Sequence, residues 1–79
     1  MHMDEILSGM TEMALERLCD ALVEADLLSA ACAGNARWKG DPVSATAWDE
    51  AGSKVWLIRS IVEDALLAQR AENERIAAL

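Results

Sequence analysis

Two cysteines, one histidine and fourteen carboxylates are the residues through which this chain could do covalent, metal or acid–base chemistry. None of them falls in a pattern that such chemistry needs. His2 stands at the N-terminal edge, far in sequence from either cysteine, so a histidine-activated nucleophile or a histidine general base is not expected. Cys19 and Cys32 both fall in one helical segment, which at about 1.5 Å per residue separates them by roughly 20 Å and rules out an intrachain disulfide. Glu63 and Asp64 are adjacent, so on a helix they point about 100° apart and make no ready acid/base pair. Metal sites in helical bundles combine glutamates with a Glu-x-x-His partner, and no histidine is available for one. The residues therefore predict no catalysis, no cofactor and no metal.

What remains is recognition chemistry. Trp38 lies between Arg37 and Lys39, and tryptophan beside arginine is a common composition of binding hot spots. Trp56 and Leu67, eleven residues apart, share a helical side with Asp49, Ser60, Glu63 and Glu74, off the main apolar stripe. They are the preferred candidates for an exposed protein-binding site, with Trp38 as a third anchor. Glu12, Glu16 and Asp20 form, with Glu5 and Asp26, an acidic face whose i,i+4 like-charge pairs slightly destabilise the helix that carries them. That face reads as a solvated surface or as a patch that meets a basic partner.

These residues are positioned by two long helical segments. Asp4 is a candidate N-cap for the first, with Glu5 in the favourable first turn. Leu7, Thr11, Ala14, Leu18, Ala21, Ala25, Leu28 and Cys32 then recur in steps of four and three, widened by Met10, Leu15 and Leu22, as an amphipathic helix requires. Gly9 weakens the first turn and Thr11 is a second candidate cap. Gly34, with Asn35, is the expected stop. Asp41-Pro42 reads as N-cap and first helical residue of the second segment, with Ser44 as a competing cap. From Trp48 through Ala51, Val55, Ile58, Val62 and Ala65 the same rhythm runs on, broadened by Leu57, Ile61, Leu66 and Ala68.

The expected fold is all-α: an antiparallel helical hairpin with arm one at about 4–33, a turn at about 34–41 and arm two at about 42–77, forming one domain. A helix with a single partner needs only a narrow seam, whereas the second arm is apolar over nearly half its circumference. Homodimerisation into a four-helix bundle is therefore expected, with Leu18, Leu22, Trp48, Val55, Ile58, Ile61 and Val62 as its core. Small domains with thin cores commonly need such reinforcement.

Trp38-Lys39-Gly40, set between two long helical segments, resembles the signature turn of the WXG100 family, small helical-hairpin dimers exported by type VII secretion. The resemblance implies a dimeric secreted hairpin. The tyrosine-containing tail signal of exported members has no counterpart here, because the chain contains no tyrosine.

Of the 79 residues, 53% are hydrophobic and 27% charged, a composition that folds. No apolar run is long enough to span a membrane, and the N-terminal residues lack the basic-then-apolar pattern of a secretory signal. A cytoplasmic location is expected. The net charge of −7 repels phosphate backbones and anionic lipid, which argues against direct nucleic-acid or membrane binding. The function expected is that of a small acidic homodimeric module that binds another protein, with a basic surface where the acidic face is used, as adaptor, inhibitor or regulator. The alternatives are a structural subunit of a larger assembly, a nucleic-acid mimic using the acidic face of arm one, or a WXG100-like secreted hairpin.

Overall fold

The computed structural model describes residues 2–79, which form three helices: α1 (Met3–Ser8), α2 (Glu12–Trp38) and α3 (Pro42–Ala77). The two long helices pack against each other antiparallel, and α1 folds back onto α3. Among the described residues there are no strands.

The first arm is broken where Gly9 and Thr11 weaken it. α1 starts at His2, which makes no side-chain cap bond, and closes at Gly9. Asp4 lies inside α1 instead of capping it. Thr11 restarts the chain: its Oγ1 accepts a hydrogen bond from the Ala14 N–H at 3.2 Å, supplying one of the donors that a helix N-terminus leaves open. The break lets α1 change direction, so Leu7 reaches Leu15 of α2 and Val62 and Leu66 of α3 to form the buried core. Met10, Leu18, Cys19, Leu22, Ile61 and Ala65 pack around it.

At the other end α2 does not stop at Gly34. It continues through Asn35, Ala36 and Arg37 to Trp38, so the connection shrinks to Lys39, Gly40 and Asp41. The extension is stabilised by burial of Ala33 and Ala36 in α2 and Ala45 in α3, against a helix penalty of about 1 kcal/mol for glycine. The stop is made at Gly40, whose φ of 76° is left-handed. The Asp41 N–H donates to the Ala36 carbonyl at 2.9 Å and the Gly40 N–H to the Arg37 carbonyl at 3.0 Å, the paired bonds of a Schellman closure. Asp41 then caps α3: its Oδ1 accepts from the Ser44 N–H at 3.0 Å and its Oδ2 from the Ser44 hydroxyl at 2.6 Å. Ser44 thus supports the Asp41 cap and does not replace it. Its hydroxyl bond is the main reason that the Asp41 carboxyl titrates below the usual aspartate range.

The two glycines have opposite expected responses to alanine. Gly34→Ala adds a Cβ with no atom within 4 Å and should stabilise the chain by about 1 kcal/mol through helix propensity. Gly40→Ala forces a left-handed alanine and should destabilise it by about 1 kcal/mol or more. Thermal melts of the two variants check this; a destabilised Gly34→Ala would place the helix end where the sequence alone suggested it.

The molecule measures 59 × 23 × 13 Å. The two long helices lie side by side, so away from α1 they form a layer one helix thick. Its radius of gyration of 16.4 Å exceeds the roughly 12 Å expected for a compact domain of this length. Along the seam the two helices approach closely. A Cβ added at Gly52 would stand 3.5 Å from the Ser29 Cβ, and Ser29 is buried with its hydroxyl donating to the Ala25 carbonyl.

Candidate functional site: the two faces of the helical layer

A two-helix layer has two broad faces, and here their chemistry differs. On one, α2 contributes Glu12, Glu16, Asp26 and Arg37, and α3 contributes Asp49, Trp56, Glu63 and Arg70. The α3 set recurs every seven residues, which returns to nearly the same side of a helix. The ion pairs between helices lie on this face. Arg37 pairs with Asp49 near the turn. Arg59, 3.1 Å from Glu63 on its own helix, approaches Asp26 at 3.9 Å. Near the α2 N-terminus the Arg70 Nη2 donates to Glu16 Oε1 at 2.7 Å, with Nε 3.9 Å from Glu12. The Asn73 amide also donates to Glu12, at 3.2 Å. Glu16 is the main cause of the upward shift of the Arg70 guanidinium.

These contacts change the reading of the acidic face. Glu12 and Glu16 of that face share Arg70. Asp20 makes no ion pair among the described residues and points outward. The three acids are therefore not equivalent: two fasten the hairpin and one faces solvent. Exposed pairs of this kind contribute little stability individually.

The opposite face is apolar. The four-and-three spacing puts Ala14, Leu18, Ala21, Ala25, Leu28 and Cys32 of α2 beside Ala47, Ala51, Ile58, Ile61, Ala65 and Ala68 of α3. Lys54 interrupts that α3 series, and Glu72 follows it four residues beyond Ala68. At one end α1 covers part of this face, leaving a groove of about 470 Å³ between Asp4, Leu7 and Ser8 on one side and Ile61, Asp64, Ala65, Ala68 and Gln69 on the other, so its rim carries two carboxylates. Elsewhere Leu28 and Ile58 remain exposed.

The residues expected in a dimer core divide into three groups. Val62 is buried within the hairpin itself, and Leu18, Leu22 and Ile61 pack beside it; Val55 is half-buried. Ile58 stays 36% exposed on the apolar face. Trp48 does not join them. With Trp56 it lines a shallow groove of about 460 Å³ on the ion-paired side, together with Asp26, Ser29, Asp49 and Gly52. The tryptophan that Trp56 shares a surface with is thus Trp48, which sequence spacing had assigned to the core.

Trp38 is 87% exposed. It sits in the last turn of α2, not in the connecting turn. Leu67 is also exposed, three helical turns beyond Trp56, so the two share a side of α3 without forming one pocket. Cys19 and Cys32 are free thiols. Burial, reinforced by Glu63 and Asp20, pushes the Cys19 thiol up, which disfavours the reactive thiolate. Among the described residues, no three His, Cys, Asp or Glu side chains converge as a metal set, and no helix is long and apolar enough to cross a membrane.

Sequence spacing missed Arg70 and Asn73 as partners of arm one, and the Trp48–Trp56 groove. The only signal for either was the seven-residue recurrence of Asp49, Trp56, Glu63 and Arg70, which marks a side of α3 but not what lies across from it. No family model, curated protein or solved structure matches this chain.

Proposed function

We propose that this chain is a small acidic homodimeric module that acts by binding another protein, as an adaptor, inhibitor or regulator, and without catalysis. The observation that carries the reading is the unequal layer: one helix thick away from α1, with its ion pairs on one face and apolar side chains uncovered on the other. Stable domains bury such a face against a second layer. A second copy is the occupant that fits best, because a two-fold interface must be self-complementary. The alanines of α2 offer shallow positions into which Ile58 of the other copy can pack. Pairing of apolar faces would leave both ion-paired faces, with Trp56 and Leu67, pointing outward as recognition surfaces.

A nucleic-acid mimic would need an array of unpaired acids on arm one. Arg70 and Arg59 neutralise part of that array, which favours protein binding through the aromatic side chains instead. Trp56 is 56% exposed, so Trp56→Ala should leave the helical content and the mass in solution unchanged. Recovery of a specific partner from the native cell on the immobilised protein should fall at least tenfold, in the range of a hot-spot residue. Equal recovery on parent and variant, measured by quantitative mass spectrometry, would remove Trp56 from the binding surface.

A further inference from the structure

The Trp48–Trp56 groove combines two features that together select a ligand. Two indoles, both partly exposed, supply electron-rich faces, and two carboxylates, Asp26 and Asp49, lie in the same lining. No lysine or arginine is among the lining side chains, although Arg37 pairs with Asp49 from outside it and Arg59 stands 3.9 Å from Asp26. Aromatic faces attract cations through their quadrupole, tryptophan most strongly, and carboxylates accept hydrogen bonds from the same cation. An acidic rim without the indoles would be only a solvated surface.

The two acids differ in availability. Asp49 is already held by Arg37 of the same chain. Asp26 is 3.9 Å from Arg59, beyond hydrogen-bond length, while Arg59 is engaged by Glu63 at 3.1 Å. Asp26 therefore retains open acceptor positions beside the indoles. Gly52 and Ser29 keep this part of the seam shallow, where larger side chains would fill it.

We propose that this groove receives the guanidinium of an arginine side chain on the partner protein, stacked on Trp48 and Trp56 and hydrogen-bonded to Asp26. Guanidinium fits better than ammonium because it is planar, stacks on indole and reaches a carboxylate through a rigid fork of donors. This deepens the protein-binding reading above and rests on it, but it does not depend on the dimer.

The test is a titration of the full chain with acetyl-Ala-Arg-Ala-amide, followed by the indole N–H signals in two-dimensional NMR, assigned with single Trp→Phe variants. The Trp48 and Trp56 signals should shift saturably while Trp38 stays still. The citrulline peptide, isosteric but neutral, should bind at least about fivefold more weakly, and the lysine peptide also more weakly. Asp26→Asn should weaken the arginine peptide about threefold or more, whereas Glu24→Gln, an exposed acid outside the groove, should not. Unmoved Trp48 and Trp56 signals, equal binding of citrulline or lysine, or equal effects of Asp26→Asn and Glu24→Gln would each overturn the assignment. Circular dichroism on both variants checks that they fold. Should the peptide fail while Trp56→Ala still loses the cellular partner, the guanidinium site is wrong and the protein-binding reading stands; an unaffected partner would count against that reading itself.

Discussion

Leu15→Ala is expected to lower the melting temperature by roughly 10–40 °C. Leu15 is completely buried, and it joins α2 to Leu7 of α1 and to Val62 and Leu66 of α3. Removing most of a buried leucine side chain costs about 2–5 kcal/mol, counting both lost transfer energy and the cavity left behind. In a domain of this size each kcal/mol moves the midpoint by about 4–8 °C. The margin is narrow because the core is thin; Leu15 and Val62 are its largest fully buried side chains. Met13→Ala is the matched control, two residues away but 70% exposed, and should stay within about 0.5 kcal/mol of the parent. Thermal melts at fixed protein concentration measure both. A Leu15→Ala melt within 3 °C of the parent would mean that the core lies elsewhere.

Ile58→Asp should convert the proposed dimer into single chains. Ile58 does not belong to the most buried part of the hairpin, so a carboxylate there can remain hydrated in the isolated chain. In a bundle closed across the apolar face it would be buried without a partner, at a cost of several kcal/mol, and each 1.4 kcal/mol weakens association tenfold. Sedimentation equilibrium should give twice the chain mass for the parent and one chain mass for Ile58→Asp at micromolar concentration. Leu27→Asp puts the same charge on the outer side of α2, where the side chain is already exposed among acids, and should leave the mass unchanged. A parent that sediments as a single chain, or an Ile58→Asp variant with unchanged mass, would refute the four-helix bundle. The two experiments separate the hairpin core from the surface it presents: Leu15→Ala acts within the chain, Ile58→Asp between chains.

Much of the hairpin could be read from residue order because it depends on local rules. Apolar recurrence at four and three residues makes a helix wherever it occurs. Thr11 and Asp41 cap because their side chains reach N–H groups only three residues ahead. The weak point at Gly9 and the second cap at Thr11 were legible for the same reason, but not that they split the first arm into two helices. The end of α2 was not. Gly34 and Gly40 have equal intrinsic freedom to stop a helix, and the choice between them fell to Ala33, Ala36 and Ala45, whose burial exists only once α3 has folded back. A local penalty of about 1 kcal/mol was outweighed by tertiary contact.

The recognition residues divide in the same way. Residue order alone determined that this chain carries long amphipathic helical segments joined by a short turn, and that Trp56 lies off the main stripe. Spacing within one helix cannot say which side chain of the other stands opposite, because that depends on the register and rotation of the packed pair. Only the tertiary structure decided that Arg70 would clasp Glu12 and Glu16, that Trp48 would share a groove with Trp56, and that charge would gather on one face of a layer one helix thick. Each of these follows from two helices meeting at Ser29 and Gly52, where small side chains let the backbones come close and so fix everything across the seam.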